Sequence, residues 1–192
     1  MSSIGSPAKP ATRAEQARQT KAGILDVGLR LFASRGFEAT SLQDIADEMS
    51  LTKAALYHYF PSKLEILRAV CAPVNETMSV LLDQALALRS RRQRIDALTA
   101  GLVDLMLERR GIFALMASDP VLHEQAKAAS PVEGLLEHAV AVIYGATPTP
   151  DQRLGVYAVA GLGDALVALT DLSDDEIRPV LLRAAKRLIV DR

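Results

Sequence analysis

The segment from residue 40 to residue 63 concentrates side chains that can contact nucleic acid. Two of the chain's four tyrosines lie within three residues here, beside lysine and histidine: Lys53, Tyr57, His58, Tyr59 and Lys63. A lysine can reach a guanine edge or a phosphate, and a small or aromatic side chain can touch a thymine methyl or a base edge. The alternative is a helical hairpin of the core, for which these polar residues are poor choices. The composition therefore favours a DNA-contacting surface.

The same segment predicts a short helix, a tight turn and a second short helix. Apolar residues of the first helix recur at helical spacing and can face a core: Leu42, Ile45, Ala46 and Met49. Ser41 is a good N-cap for it, with Asp44 in its first turn, and Thr52 can cap the second helix. The second helix turns its apolar residues inward: Ala55, Leu56 and Phe60.

Three motifs lie in this region: Gly36-Phe37-Glu38-Ala39-Thr40-Ser41, Asp44-Ile45-Ala46 and Leu56-Tyr57-His58-Tyr59-Phe60-Pro61-Ser62-Lys63. Together they resemble the DNA-binding domain of the tetracycline-repressor (TetR) family, over about residues 17–67. The family usually has a glycine in the turn where this chain has Ser50, which must adopt the turn geometry at some strain. The resemblance implies a helix-turn-helix domain followed by a helical ligand-binding and dimerisation domain.

A short helix fits the major groove, and its N-terminal residues approach base edges. Thr40 and Ser41 precede the first short helix and suit a phosphate through hydroxyl, backbone N–H and helix dipole. By resemblance, His58, Tyr59 and Lys63 hold the DNA backbone, although Tyr59 also suits a partly structural role. The predicted DNA-binding set is Thr40, Ser41, Thr52, Lys53, Ala54, Tyr57, His58, Tyr59 and Lys63.

Composition indicates an all-α globular protein of about nine helices. The 192 residues are 49% hydrophobic and 23% charged, and no sustained alternation of period two predicts strands. The net charge is −1, but residues 1–63 hold eight of the 22 Lys/Arg and only six of the 23 Asp/Glu. Positive potential therefore lies at the N-terminal end, where the helix-turn-helix is predicted. Chance asymmetry is the alternative explanation.

Three regions are predicted along the chain: a disordered N-terminal arm at 1–11, the DNA-binding domain at 12–65 and the helical domain at 66–192. The arm lacks the apolar stretch of a signal peptide, and the apolar run 154–170 is too short and too interrupted for a membrane span. The only cysteine is Cys71, so no intrachain disulfide can form, and a reducing cytoplasm is expected.

Capping residues, glycines and prolines predict the helix boundaries. The first helix follows a capping box at 12–15, carries the stripe Ile24, Gly28, Leu31 and Phe32, and ends at Gly36. A long helix runs from 62 to about 88, with a kink expected at Pro73. Residues 89–94 are predicted as a bend or loop. The further helices are expected at about 95–109, broken by Gly111, then 112–117, 120–128, 131–145, 151–169 and 174–190. The last helix either kinks at Pro179 or starts there.

The family resemblance implies a ligand cavity among the middle helices. The predicted lining is Val74, Met78, Met106, Phe113, Met116 and His138, with ordinary core packing as the alternative for each apolar residue. Asp164 aligns with Arg153, Tyr157 and Asp171 at helical spacings, which favours a solvated stripe over a ligand anchor. His123 and His138 are predicted at the surface or the cavity wall rather than at a metal, because no Cys/His cluster accompanies them.

Small residues near the C-terminus predict a close helix–helix interface between two copies of the chain, with packing inside one chain as the alternative. The predicted interface is Ala158, Gly161, Ala165, Leu169, Leu181, Ala184, Ala185 and Leu188. We therefore expect a cytoplasmic homodimer that binds near-palindromic operator DNA. It is expected to act as a repressor, released by a small apolar or amphipathic effector. No cofactor, metal or membrane partner is predicted.

Two other classes remain open. An enzyme would need a nucleophile–base pair, a phosphate loop or a metal cluster, none of which the sequence contains. A constitutive DNA-binding protein would use the second domain only to dimerise. The long helix that starts beside the recognition helix at Ser62 is the predicted bridge between the two domains, with Pro73 as a hinge.

Overall fold

Helices account for all regular structure in residues 12–189, the part of the chain that the computed structural model describes. The ten α-helices are α1 (Arg13–Arg35), α2 (Leu42–Glu48), α3 (Lys53–Tyr59), α4 (Lys63–Leu86), α5 (Arg91–Glu108), α6 (Arg110–Ser118), α7 (Pro120–Ala129), α8 (Val132–Tyr144), α9 (Pro150–Ala160) and α10 (Asp174–Leu188). A 3₁₀ segment (Gly161–Leu169) follows α9. The all-α prediction is confirmed, and the proposed arm at 1–11 lies outside the described residues.

Side-chain caps set the starts of the first three helices, as predicted. The Thr12 and Glu15 side chains each pair with the other's backbone N–H at the start of α1, and Ser41 and Asp44 do the same for α2. The Thr52 hydroxyl accepts from the Ala55 N–H at 3.2 Å and starts α3. Gly36 ends α1 at a φ of 86°, a conformation that glycine adopts without a Cβ penalty.

The turn between α2 and α3 places Ser50 at a φ of 53°. It is the only residue other than glycine with a positive φ among residues 12–189. The left-handed conformation costs an L-residue roughly 1–2 kcal/mol, because Cβ approaches the following carbonyl oxygen. The strain expected at this position is therefore present, and the turn forms in spite of it.

Two boundaries differ from the sequence-based expectation. Residues 91–94 are helical rather than a loop, because Ser90 and Gln93 form a reciprocal cap that starts α5. The predicted helix at 151–169 divides instead into α9 and the 3₁₀ segment. Gly161 and Gly163 lie at that division, and glycine stabilises an α-helix less than any residue except proline.

The structure also fixes where two further helices, α6 and α10, begin. The break before α6 falls at Arg109, whose backbone leaves the helical region, and Gly111 lies inside α6. α10 starts at the Ser173 cap, ahead of Pro179, so the proline lies within the helix. Pro73 likewise lies within α4, which continues to Leu86.

Three clusters of buried side chains form the core. The first joins α1–α3 to the start of α4 and to α6 and α7, through Ile66, Leu67, Leu115 and Leu122. The second joins α4, α5 and α8–α10, and the third joins α5, the 3₁₀ segment and α10. The four residues of the predicted α1 stripe are the buried residues of that helix. The first core therefore extends past residue 65, into helices of the predicted second domain.

Candidate DNA-binding face and ligand cavity

Helix α3 presents its polar side chains outward. Lys53, Ala54 and His58 are exposed, and Tyr57 is 44% exposed. The Lys53 ammonium lies 5.8 Å from the centre of the Tyr57 ring, a cation–π arrangement that holds both side chains on the same face. Leu56 is fully buried and anchors the opposite face to the first core. α3 is therefore a short helix with one anchored face and one free face.

The two rings after Tyr57 divide between surface and core. Tyr59 is half-buried against the first core, and its ring meets His58 edge-on at 5.7 Å between centroids. Tyr59 therefore packs partly against the core, which agrees with the partly structural role predicted for it. His58 is exposed at the surface of α3.

A groove of about 590 Å³ lies beside α3, between the α1–α2 loop and the α3–α4 turn. Its walls include Lys53, Tyr57, Ser41, Ser62 and Lys63. Five residues of the predicted DNA-binding set border this groove: Thr40, Ser41, Lys53, Tyr57 and Lys63. α7 adds Gln125, which the sequence-based prediction did not include.

The side chain of Thr40 points inward rather than into this groove. It is 1% exposed, and its hydroxyl donates to the carbonyl oxygens of Gly36 at 2.8 Å and Leu31 at 3.3 Å. Ser41 is exposed, but its N–H and hydroxyl both donate to the Asp44 carboxylate. These hydrogen bonds lower the pKa of Asp44 and keep it ionised at the start of α2. Both residues are therefore occupied with positioning α2 in this conformation.

Lys63 is held by backbone on its own molecule. Its ammonium donates to the carbonyl oxygens of Phe37 at 2.7 Å and Glu38 at 3.3 Å and lies 4.7 Å from the centre of the Phe37 ring. The N–H of the same residue is held by Asp119, whose carboxylate accepts from it at 2.9 Å. The α1–α2 loop is therefore fixed from α4 and from the start of α7.

A second cavity, of about 340 Å³, lies between α4, α6, α7, α8 and α9. Three of the six predicted lining residues are there: Val74, Phe113 and Met116. The other three are not. Met106 is fully buried in the third core, His138 is exposed on α8, and Met78 is half-buried outside the cavity. Helical periodicity on α4, α5 and α8 could not indicate which core-facing residues border empty space.

Polar residues also line the cavity. Tyr157 and Asp164 are exposed, as the predicted solvated stripe requires, and they border the cavity together with His123, Asn75 and Lys127. The spacing of seven between Tyr157 and Asp164 was a usable signal, because such residues share a face. Cys71 is half-buried at the wall, and burial raises the pKa of its thiol to about 11. A thiol that stays protonated is a poor nucleophile.

The described residues give no sign of a metal site or a membrane span. Among them, no group of three or more His, Cys, Asp or Glu side chains is placed to hold a metal ion. Within the same part of the chain, no helix is both long and apolar enough to cross a bilayer.

The predicted dimer stripe divides between the core and the surface. Leu181 and Ala185 are 2% and 0% exposed and pack inside their own chain, so their assignment to an interchain surface was wrong. Gly161, Ala165 and Leu188 are exposed, while Ala158, Leu169 and Ala184 are half-buried. Two exposed apolar residues that were not predicted join them: Leu154, 68% exposed, and Val180, 43% exposed. We call the surface formed by these five exposed residues the α9–α10 face: Leu154, Gly161, Ala165, Val180 and Leu188.

Fold and site together define a class: an all-helical protein with an N-terminal helix-turn-helix and a cavity-containing helical body. Residues 24–70 match the family model described as bacterial regulatory proteins, tetR family. The chain is 36% identical over 63 residues to the transcriptional regulator TtgR of Pseudomonas putida, covering 33% of this chain and 30% of TtgR. It is 34% identical over 64 residues to the transcriptional repressor KstR2 of Mycolicibacterium smegmatis, covering 33% and 28%. These matches span less than a third of each relative.

Solved structures match over nearly the whole chain. The TetR-family regulator PfmR of Thermus thermophilus superposes with a TM-score of 0.64 at 22% identity, covering 95% of this chain and 99% of PfmR. A TetR-like regulator from Rhodococcus gives 0.64 at 23% identity, covering 92% and 97%. At these identities the likeness establishes the fold. The helix-turn-helix region is therefore similar to that of the tetR-family regulatory proteins, and the chain as a whole shares the fold of these solved regulators.

Proposed function

We propose that this chain is a transcriptional regulator that reads operator DNA by inserting α3 into the major groove. The observation that carries the proposal is the exposed face of α3, with Lys53, Ala54 and Tyr57 free beside an anchored Leu56. An α-helix with its side chains is about 10–12 Å in diameter, and the major groove is about 12 Å wide, so α3 fits within it. The N-terminal residues of such a helix then face the base edges.

Different residues would contact the phosphates and the bases. Lys53 has a free ammonium beside the groove, which suits a phosphate or a guanine edge. Tyr57 lies one turn later on the same face and can touch a base edge. Lys63 donates two hydrogen bonds to backbone carbonyls, so its third proton is what remains for a phosphate. Thr40 and Ser41 would act by placing the N-terminus of α2.

The test begins with selection of a binding site from a random duplex pool, followed by titration at several salt concentrations. Lys53→Ala should weaken binding and lower the slope of log affinity against log salt by about one, because one phosphate contact is lost. Tyr57→Ala should change the preference among operator variants and leave the salt slope in place. Lys186→Ala is the matched control, because Lys186 pairs with Asp96 on the far side of the molecule.

Selection of no preferred sequence would contradict the proposal at its root. Unchanged affinity and salt slope in Lys53→Ala and Tyr57→Ala together would contradict the docking of α3. An effect of Lys186→Ala as large as that of Lys53→Ala would point to general charge rather than to a local contact.

We further propose a two-fold homodimer formed through the α9–α10 face. Exposed Leu154, Val180 and Leu188 would become buried in such a contact, and Ala165 would let a neighbouring helix approach closely. A two-fold axis presents two copies of α3 to DNA, at half-sites one helical turn or a little more apart, roughly 34–36 Å. A near-palindromic operator follows from that symmetry.

The presence of the cavity favours a protein controlled by a small effector, and disfavours one that binds DNA constitutively. α4 reaches both sites, since Lys63 borders the protein groove beside α3 while Cys71 and Val74 line the cavity. An effector that binds more tightly to one arrangement of α4 would change the separation of the two α3 helices. We propose that the effector binds more tightly to the arrangement of α4 found in the DNA-free protein. The protein would then be a cytoplasmic repressor that its ligand releases from DNA.

A further inference from the structure

One carboxylate in the ligand cavity has no partner. Asp164 is a solvent-exposed residue that lines the cavity, and within residues 12–189 it forms no hydrogen bond or ion pair with another side chain or the backbone. Lys127 and Glu133, which also line the wall, neutralise each other's charge, because the Lys127 ammonium lies 3.6 Å from the Glu133 carboxylate. The cavity therefore carries one uncompensated negative charge.

The hydroxyl groups of the cavity direct their protons away from a ligand. Tyr157 donates to Glu137 at 2.7 Å, and Arg153 donates to the same carboxylate oxygen at 2.7 Å and fixes it. This hydrogen bond raises the pKa of Tyr157, so the phenol stays protonated with its proton engaged. Ser130 donates to the Asn75 side-chain oxygen at 3.0 Å. Both hydroxyls consequently offer a ligand lone pairs rather than protons.

Aromatic surface lies next to the free carboxylate. The Phe113 ring packs on the backbone of Gly163, where a Cβ would come within 2.5 Å of the ring, and Asp164 is the next residue. Tyr157 lies two turns earlier than Asp164 along the same wall. Aromatic faces attract cations through the ring quadrupole, and a neighbouring carboxylate adds to that attraction.

We propose that the cavity binds an organic cation with an apolar body, such as an aromatic or aliphatic quaternary ammonium compound. Asp164 takes the positive charge, Phe113 and Tyr157 contact the cationic head, and Val74 and Met116 contact the apolar body. The occupant must fit a volume of about 340 Å³. This inference depends on the proposed function, because it names the ligand class of the same effector site.

The test uses two probes that differ only in charge: 4-(trimethylammonio)phenol and 4-tert-butylphenol. Isothermal titration calorimetry on the full chain should give the cation the lower Kd, by about fivefold or more, from a partly exposed ion pair and a cation–π contact. Asp164→Asn keeps the shape of the side chain and removes the charge. In that variant the preference should vanish or reverse, because the cation still loses hydration on entering an apolar cavity.

Asp171→Asn is the matched control, since Asp171 is an exposed acid seven residues further along and outside the cavity wall. It should retain the full preference for the cation. A preference that persists in Asp164→Asn, or falls equally in Asp171→Asn, would overturn the assignment of the charge to Asp164. Equal binding of both probes to the wild-type chain would overturn the inference alone. Binding of neither probe at millimolar concentration would overturn the effector part of the proposed function as well.

Discussion

Replacing Asp119 by asparagine is expected to loosen the contact between the DNA-binding helices and the cavity wall. One carboxylate oxygen accepts from the Phe37 N–H at 2.9 Å, across 82 residues of sequence. The other accepts from the N–H groups of Val121 and Leu122, each at 3.0 Å, and starts α7. Asparagine can keep the second role through its oxygen, but it turns an NH₂ group towards the Phe37 N–H.

The magnitude follows from the two roles of the side chain. A hydrogen bond to a charged group contributes roughly 1.5–3 kcal/mol, and partial exposure of Asp119 favours the lower end, so Asp119→Asn should cost about 1.5 kcal/mol. Asp119→Ala also removes the cap, for about 1 kcal/mol more. The alanine variant should therefore be the less stable of the two, by roughly the value of one N-cap.

Urea denaturation at a series of pH values is the assay. The Phe37 N–H, followed by the Leu122 N–H, lowers the pKa of Asp119 below its ordinary value. A depressed folded-state pKa means stability that is present above the unfolded pKa of about 4 and lost as the pH falls through the folded value. The difference between wild type and Asp119→Asn should therefore be full at pH 7 and shrink below about pH 4.

Asp151→Asn serves as the control, because Asp151 is an exposed acid in the first turn of α9. It should change the free energy of unfolding by no more than about 0.5 kcal/mol. The reasoning about Asp119 is refuted if Asp119→Asn is as stable as wild type at pH 7, or if their difference stays constant down to acid pH.

Four further outcomes are expected. Ser50→Gly should raise the free energy of unfolding by roughly 0.5–1 kcal/mol in urea denaturation, because the left-handed conformation then costs no strain. Gly155→Ala should destabilise strongly in the same assay, since its Cβ would lie 2.4 Å from the Leu188 carbonyl oxygen, whereas Gly134→Ala meets nothing within 4 Å and should not. Ala165→Arg should yield monomers in sedimentation where the wild type gives dimers, because the new charge would be buried at the α9–α10 face. Saturating operator should weaken effector binding in calorimetry by the factor with which effector weakens operator binding.

The helix-turn-helix end of the fold was predictable because its signals are local. Hydroxyl caps at Thr12, Ser41 and Thr52 each act within three residues, so the helix starts could be identified without tertiary information. The apolar stripe of α1 and the outward face of α3 follow from helical periodicity alone. Thr40 is the exception, because its hydroxyl bonds to the carbonyl of Leu31, nine residues away on the end of α1.

The cavity was less predictable because its wall comes from five helices. Helical periodicity predicts correctly that Met106 is buried. It cannot distinguish a buried residue in a filled core from one that borders a cavity. Asp164 and Tyr157 share one face, as predicted, and this face borders the cavity together with Phe113, whose ring packs on Gly163. The division of 151–169 at Gly161 also needed the tertiary structure, since isolated glycines often remain inside helices.

The cavity and the DNA-binding face share two structural connections rather than one. α4 carries Lys63 at one end and the cavity-lining Val74 further along, as its sequence suggested. The second connection is the backbone of Phe37, whose carbonyl accepts from Lys63 while its N–H donates to Asp119 between α6 and α7. Because α6 and α7 both line the cavity, a ligand that separated them would act on the same residue that α4 holds through Lys63. A coupling free energy of typically 1–3 kcal/mol is comparable to one or two such hydrogen bonds. Loss of the Phe37 contacts would therefore be large enough to account for the proposed switch without any unfolding of α4.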